Sequence, residues 1–208
     1  MKRATAVRHL VEMGGAATGL VDRGPALDAV PLTELWVTGD LLTPAEALDW
    51  GSVVLVLDLP PDELTWLTRD STAEWLGAQL RLGKRPMAWS YRPAAWPVWN
   101  VRDRRLARFW TAGGGLDGAA IEALRDRRLD ALAVVEPDDR EWAAQLSIEL
   151  EASRRHLRHV LDHIDDRDWR RAHKGLDESP EDHLWRAARA VADLLDALDA
   201  AEAQPDAG

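Results

Sequence analysis

The sequence has 208 residues, of which 46% are hydrophobic and 30% are charged, and its formal net charge is −10. This length suits one domain or a domain with a helical appendage, and the apolar content is sufficient for a buried core. The acidic balance argues against nucleic acid as a partner, because proteins that bind phosphates are usually basic. The chain has no cysteine, which excludes disulfides, thiolate zinc sites and cysteine nucleophiles.

The first half of the sequence alternates between helical and strand patterns. Apolar residues at helical spacing predict a helix over 2–22. Strands are predicted at 35–38 and 52–58, and the second is apolar throughout, which is typical of a central strand buried on both faces. The segment 43–46, Thr-Pro-Ala-Glu, has the pattern of a capping box with proline at the first helical position. We therefore expect a short helix there.

The middle of the chain continues the alternation. Residues 71–74, Ser-Thr-Ala-Glu, resemble a second capping box, which could split the helical pattern over 60–83 into two helices. The remaining predicted elements are a helix over 60–83, a strand over 86–91 that resumes at 98–101 as an edge strand, a helix over 119–129 and a short strand over 131–136.

After Pro137 the pattern becomes helical. Helices are predicted over 139–165 and from Ser179 to about 201, the second beginning with Ser-Pro-Glu-Asp. The apolar stripes of these helices are Trp142, Leu146, Leu150, Ser153, Leu157, Val160 and Ile164, and then Leu184, Ala188, Val191, Leu195 and Leu198.

The patterns together predict an α/β protein with a small mixed sheet flanked by helices. The α/β domain would occupy 1–136, an antiparallel helical hairpin packed on it would occupy 137–203, and 204–208 would be a disordered tail. No stretch approaches the roughly 18 apolar residues of a membrane span. Charged residues stand near the start, where a signal peptide has an apolar run. We expect a cytoplasmic protein that does not bind a membrane.

The segment 35–58 resembles the opening of the minimal nucleotidyltransferase fold. In that family a strand ends in Gly-Ser, whose backbone holds a triphosphate, and an Asp-x-Asp pair on the next strand binds Mg²⁺. Here Gly39 has the place of the glycine, Asp40 that of the serine, and Gly51 and Val53 those of the carboxylates. Because Mg²⁺ needs oxygen ligands, the resemblance implies a degenerate, non-catalytic module. Gly39 and Asp40 are then candidate ligand-contacting residues.

A second resemblance extends over nearly the whole chain. The segments that begin at Glu34, Asp58, Pro97, Leu184 and Leu194 together look like an uncharacterised actinobacterial family of unknown function. This resemblance identifies relatives and implies no activity, substrate or cofactor.

The histidines are concentrated in the C-terminal third. His156, His159 and His163 recur at a spacing that brings side chains together on a helix, and Glu149 extends the same face. Imidazoles with a carboxylate can bind Zn²⁺, Ni²⁺ or Fe²⁺, so these four residues are candidate metal ligands. The alternative is that they are polar residues flanking the apolar stripe. We expect no cofactor, with a divalent metal as the alternative.

The same helix contains an Arg-x₄-His pattern, from Arg158 to His163. It resembles the ribonuclease motif of the helical HEPN family, whose sites are usually completed by a dimer partner. The resemblance implies that Arg158 stabilises the scissile phosphate and that His163 transfers a proton. The acidic net charge and the presence of only two long helical patterns oppose this interpretation.

Tryptophan is unusually frequent, with 11 residues against one Phe and one Tyr. Trp89, Tyr91, Trp96 and Trp99 lie with Arg92 in a segment stiffened by prolines. Exposed aromatic side chains next to arginine form good stacking and protein-binding surfaces. The alternative is that these side chains fill the core.

The leading interpretation is a non-enzymatic, degenerate nucleotidyltransferase-like module that binds a partner protein or a small ligand, with a homodimer as a possible state. One alternative is an RNase-like or metal-dependent activity centred on Arg158, His159 and His163. Another is an interaction scaffold whose Trp-rich segment is the binding face. The scaffold alternative predicts that Trp96→Ala and Trp99→Ala abolish complex formation and barely change stability.

Overall fold

The computed structural model describes residues 1–23, 30–49, 51–174 and 179–203. The chain divides into two compact units. The first unit comprises Met1–Leu59 and Asp70–Pro137, and the second comprises Pro60–Arg69 and Asp138–Gly208. The packing of a C-terminal hairpin on the α/β domain stays a prediction. The tail predicted over 204–208 lies outside the described residues.

The first unit is built on a mixed β-sheet. Its helices are α1 (Arg3–Val21), α2 (Ser71–Gln79) and α3 (Gly118–Asp126), and its strands are β1 (Leu32–Thr38), β2 (Gly51–Leu57), β3 (Met87–Pro93), β4 (Leu106–Thr111), β5 (Gly115–Leu116) and β6 (Val134–Val135). The strand order is β3-β2-β1-β4-β5, with β6 paired to β4. β2 and β3 are parallel, and the other pairs are antiparallel. The predicted α/β class with a small mixed sheet is confirmed.

β2 lies inside the sheet, between β1 and β3. It pairs with β3 over its whole length, and Val53, Val54 and Leu55 are almost completely buried. Both faces of this strand are therefore covered, as its continuous apolar sequence predicted. One face of the sheet carries an apolar cluster. This cluster consists of Trp36, Val54, Val56, Val98 and Leu106, with Trp99 and Val135 packed against it.

The predicted helix at 43–46 does not form. β1 is followed by a 3₁₀ turn at Gly39–Leu42 and then by an irregular loop. The guanidinium of Arg3, whose side chain is buried, donates hydrogen bonds to the carbonyls of Leu41, Thr43 and Ala45. These carbonyls bond to Arg3 instead of to the backbone amides that a helix would place one turn further along. A contact distant in sequence therefore overrides the local capping pattern.

The helix predicted over 60–83 is wrong at both ends, whereas the alternative of a division at 71–74 agrees with the start of α2 at Ser71. Residues 60–69 form turns, and Leu67 has a left-handed φ of 59°, which no regular helix accommodates. The N-cap of α2 is Asp70 instead of Ser71, because the Asp70 carboxylate accepts hydrogen bonds from the amides of Thr72 and Ala73. The helix then ends at Gln79.

The strand predicted at 98–101 also does not form. The side-chain oxygen of Asn100 accepts hydrogen bonds from the amides of Arg102 and Asp103, both at 2.8 Å. This local bonding turns the chain and replaces the ladder that an edge strand would need.

The second unit is helical. Its helices are α4 (Asp139–His163), α5 (Arg167–Ala172) and α6 (Pro180–Glu202), and α4 packs against α6. Both long helices begin with capping boxes, formed by Asp138 with Glu141 and by Ser179 with Asp182. The predicted start of α6 is confirmed, whereas α5 had no counterpart among the predicted elements.

The predicted apolar stripe holds for α4 and fails for α6. Trp142, Leu146 and Val160 on α4 are buried as predicted. On α6 the buried residues are Pro180, Ala187, Ala190 and Leu194. Leu195, from the predicted stripe, is 36% exposed. Small side chains allow a close approach of neighbouring backbone, so side-chain size as well as hydrophobicity selects the buried face.

Candidate functional site

The loop between β1 and β2 contains the residues that resemble a nucleotide site. Gly39 has a left-handed φ of 65°, which glycine adopts without strain, and it starts the 3₁₀ turn. The carboxylate of Asp40 accepts a hydrogen bond of 3.0 Å from the amide of Asp49. The Asp40 carbonyl accepts a bond from Arg3. Asp40 therefore ties the two ends of this loop together.

The positions of the family's metal-binding carboxylates are packed with apolar groups. A Cβ at Gly51 would lie 3.2 Å from a side-chain carbon of Met87 and 3.3 Å from one of Met1. Val53 is 1% exposed and pairs with Val37 on β1. A carboxylate at either position would be buried among hydrocarbon, which strongly disfavours its charged form. The nucleotidyltransferase resemblance itself stays a prediction.

Arg3 is a buried charged residue that the sequence analysis did not identify. It is 3% exposed and donates to five backbone carbonyls, those of Asp40, Leu41, Thr43, Ala45 and Leu124. Burial lowers the pKa of its guanidinium, the nearby charge of Arg127 lowers it further, and Asp40 acts in the opposite direction. Its burial could have been predicted from its spacing, because Arg3 stands three, four and seven residues before the apolar Ala6, Val7 and Leu10 and so lies on their face of the helix.

The histidines of the second unit lie close to one another. The rings of His159 and His163 are 4.4 Å apart, and the Nδ1 of His163 bonds to the carbonyl of His159 at 2.8 Å. The rings of His173 and His183 are 5.0 Å apart, and His173 also stacks on Trp169. The first pair therefore lies on α4, and the second links the end of α5 to α6.

His156 is half-buried, as are His173 and His183. Its pKa is lowered mainly by burial, and further by the positive charge that His159, His183 and His173 carry when protonated. The neutral imidazole is therefore favoured in the folded protein.

The predicted metal ligands do not form a recognisable centre. Glu149 is fully buried and accepts a 3.1 Å hydrogen bond from the Nε2 of Gln145. Within the described ranges, no group of three or more His, Asp or Glu side chains is arranged to hold a metal ion. Metal binding by His156, His159, His163 and Glu149 stays a prediction without geometric support.

The two residues of the ribonuclease-like pattern are exposed on α4. Arg158 and His163 are five residues apart, which at about 100° per residue places them about 140° apart around the helix. The two side chains thus leave α4 on different sides. A ribonuclease activity of Arg158 and His163 stays a prediction.

The Trp-rich segment separates into a structural part and an exposed part. Arg92 is 1% exposed, donates two hydrogen bonds to the carbonyl of Pro97 and lies 5.3 Å from the ring centre of Trp96. Trp99 packs against the apolar cluster of the sheet. Arg92, Trp96 and Trp99 therefore brace the chain that follows β3. Their contacts make them poor candidates for a free binding face.

Trp89 on β3 is the exposed member of the segment. Its side chain is 37% exposed, and its Nε1 donates a 3.2 Å hydrogen bond to the hydroxyl of Tyr91. A Cβ at Gly77 of α2 would lie 2.6 Å from this hydroxyl, so the absence of a side chain there makes room for Tyr91. We call Trp89 and Tyr91 the aromatic edge pair.

β3 is the last strand on its side of the sheet. Among the described residues no further strand follows β3 in the strand order, so the aromatic edge pair lies on an outermost strand. The opposite end of the strand order is β5, which has only two residues. The longer of the two outermost strands in the described sheet is therefore β3, which carries Trp89.

The model of a protein family described as "Domain of unknown function (DUF7711)" matches residues 1–200. No curated protein and no solved structure matches the chain. In the part of the chain that the structure describes, no helix has the length and apolar character needed to cross a membrane.

Proposed function

The chain belongs to this family, a domain of unknown function, and from that premise we propose that it is a non-catalytic module that binds a partner protein. The observation that carries the proposal is the aromatic edge pair, in which Trp89 is 37% exposed on an outermost strand of the described sheet. Exposed tryptophan held in a fixed orientation is the residue type that most often dominates binding energy at protein interfaces.

The non-catalytic part of the proposal is supported by the loop between β1 and β2. Asp40 uses its carboxylate to hold the amide of Asp49, and Gly51 and Val53 are packed against apolar side chains. A nucleotidyltransferase needs carboxylates converging on Mg²⁺ at these places. The nucleotidyltransferase-like ancestry remains part of the proposal. A cytoplasmic location belongs to it as well, because a cysteine-free chain gains no disulfide from an oxidising compartment.

The binding part of the proposal places Trp89, not Trp96 or Trp99, at the interface. Trp96 lies next to the buried Arg92, and Trp99 packs on the core, so truncating either should reduce stability before it affects a partner. Trp89 can be truncated at lower cost to the fold, since more than a third of its side chain is already in solvent. A small ligand is the alternative occupant of the aromatic edge pair.

The test compares three purified proteins as affinity baits in extract of the source cell: the unchanged chain, Trp89→Ala and Trp75→Ala. Trp75 is a matched control because it is a comparably exposed tryptophan, at 39%, on α2. Partners retained by the first bait are identified by mass spectrometry, purified, and titrated against all three. We expect Trp89→Ala to weaken binding about 30-fold, a typical hot-spot effect, and Trp75→Ala to change it by less than about threefold.

Two results would overturn the proposal. One is a partner set that does not differ between the three baits. The other is magnesium-dependent nucleotidyl transfer by the purified chain that is lost in Asp49→Ala. Thermal unfolding of each variant checks that altered binding is not a consequence of unfolding.

A further inference from the structure

We infer that α6 pairs in antiparallel orientation with α6 of a second copy of the chain, around a two-fold axis that passes between Ala192 and Asp193. We call the contacting surface the α6 face, and it consists of Trp185, Ala188, Arg189, Ala192, Leu195 and Asp196. A pairing of this kind goes beyond the proposed function, which rests on Trp89 of the first unit.

The centre of the α6 face is apolar and exposed. Trp185 is 64% exposed, against 37% for Trp89, and Leu195 is 36% exposed. Ala188 and Ala192 are exposed as well. At about 100° per residue, the four apolar residues of the face lie within about 60° of the direction of Ala192 around the helix. A contiguous apolar surface on a soluble protein commonly marks an interaction site.

The α6 face is not the side of the helix that the fold already uses. α6 packs against α4, and its buried residues include Ala187, Ala190 and Leu194. These three residues lie between about 140° and 160° from Ala192 around the helix. A helix with apolar residues on two opposite sides is suited to packing between two neighbours, as in a helix bundle.

The charges on the α6 face complement one another in antiparallel orientation. Arg189 lies in the first half of α6, where its Nε bonds to Asp193, and its side chain is 55% exposed. Asp196 lies in the second half and is exposed. Both residues lie on the same flank, about 60° and 40° from Ala192. The two-fold axis therefore places Arg189 of each copy opposite Asp196 of the other.

The same axis brings the apolar residues together. Leu195 would lie next to Ala188 of the other copy, and Trp185 would lie against the exposed Ala200. Asp199 is exposed beside that position, where the indole N–H of the other copy's Trp185 can donate to its carboxylate. Alanine side chains at the contact allow helix axes to approach to about 8 Å.

The charge pattern selects both the orientation and the occupant. A parallel pair would place Arg189 opposite Arg189 and Asp196 opposite Asp196, and like charges in contact disfavour an interface. In antiparallel orientation the face is complementary to itself, which is what a two-fold dimer requires. The contact uses one helix per copy and so is small for a specific interface. We therefore expect a dissociation constant of about 1–100 µM.

The first experiment measures association of the full chain by sedimentation equilibrium. The net charge of −10 per copy is screened at about 0.15 M salt, where the Debye length is about 8 Å. Arg189→Asp and Asp196→Arg each place like charges together at both contacts, so each should weaken the dimer at least about tenfold. An equimolar mixture of the two variants restores opposite charges at both contacts and should dimerise again.

Matched variants control for general effects of the substitutions. Arg8→Asp reverses an exposed arginine of α1 and should change the dissociation constant by less than about twofold. Trp185→Ala should weaken the dimer at least about tenfold, whereas Trp75→Ala should leave it unchanged. Circular dichroism of each variant checks that the helices are intact.

The second experiment tests the register, because the chain has no cysteine of its own. Ala192 is next to the two-fold axis, so Ala192→Cys should give a disulfide-linked dimer on mild oxidation. Ala188→Cys is the matched control on the same face. Its two sulfurs would lie about 13 Å apart along the helices, which is too far for a disulfide.

Several outcomes overturn the inference. They are a chain that stays monomeric at all concentrations, a dimer that Trp185→Ala and both charge reversals leave unchanged, a mixture of the charge variants that associates no better than either alone, or equal cross-linking at 188 and 192. If the chain is monomeric and an extract protein is lost with Trp185→Ala, a different protein occupies the α6 face and the inference is wrong.

Discussion

Replacing Arg3 by Met tests whether one buried guanidinium holds the loop between β1 and β2. Methionine keeps much of the length and apolar stem of the side chain and removes all of its donors. The variant leaves five carbonyls without this donor. The carbonyls of Leu41 and Leu124 belong to fully buried residues, whereas Thr43 and Ala45 have access to water.

The magnitude follows from this division. A buried acceptor left unsatisfied costs about 1–3 kcal/mol, and an acceptor that reaches water costs much less. The two buried carbonyls therefore suggest a loss of about 2–6 kcal/mol. The lowered pKa of Arg3 shows that burying its charge is itself unfavourable, which offsets part of that loss. We expect about 3 kcal/mol, or a midpoint lower by about 6–12 °C for a chain of this size.

The assay is urea unfolding followed by tryptophan fluorescence and far-ultraviolet circular dichroism, with hydrogen exchange of the amides at 40–49. Arg8→Met is the matched control, because Arg8 is an exposed arginine of the same helix whose ion pair with Glu12 is long, at 3.8 Å. It should cost less than about 0.5 kcal/mol. Equal effects of the two substitutions, or unchanged exchange at 40–49 in Arg3→Met, would refute the reasoning.

Three further predictions concern single side chains. Because the pKa of His156 is lowered below 6.5 in the folded protein, its neutral form stabilises the fold above about pH 6.5, and this contribution is lost as the pH falls. Between about pH 7.5 and 5.5, the free energy of unfolding of His156→Gln should therefore decline less than that of the unchanged chain. A steeper decline in the variant would contradict this. Trp99→Phe should change stability by less than about 1 kcal/mol, because the packing lost with the smaller ring is offset by removal of a buried Nε1 that has no hydrogen-bond partner in the described part of the chain. Trp110→Phe should cost about 2–3 kcal/mol, because it loses both the 2.9 Å bond to Thr18 and part of a ring that is 1% exposed. Urea unfolding should separate the two variants, and equal losses would disprove the argument. Gly15→Ala should raise the free energy of unfolding by about 0.5–1 kcal/mol, because Gly15 lies inside α1, where alanine is favoured over glycine, and an added Cβ would have no atom within 4 Å. A lower midpoint in thermal unfolding would show that the site has no room for the methyl group.

The elements that sequence predicted best are those specified by neighbouring residues. β2 is a short run of apolar, largely β-branched residues, and the first turn of α6 carries its own capping box. The pattern at 43–46 is equally good locally and still fails, because Arg3 competes for its carbonyls from about forty residues away. No local rule contains that contact.

The candidate site was only partly predictable for a similar reason. The composition identified the tryptophans, and their clustering drew attention to the segment between Trp89 and Trp99. Which of them faces solvent depends on Arg92, whose buried guanidinium holds the chain next to Trp96. The importance of Trp89 depends on the position of β3 at the end of the strand order, which is a property of the whole sheet.

The ten-residue segment 60–69 belongs to the second unit although the first unit's chain runs before and after it. Inside that unit Trp66 donates to Asp193 on α6, and Asp62 pairs with Arg155 on α4. During synthesis this segment is made long before α4 and α6, which it contacts. Trp66 therefore stays exposed to solvent until those helices have been made. Cleavage of the chain at a single site therefore cannot separate the two units intact. A fragment that begins at 138 would lack the contacts that segment 60–69 makes with α4 and α6.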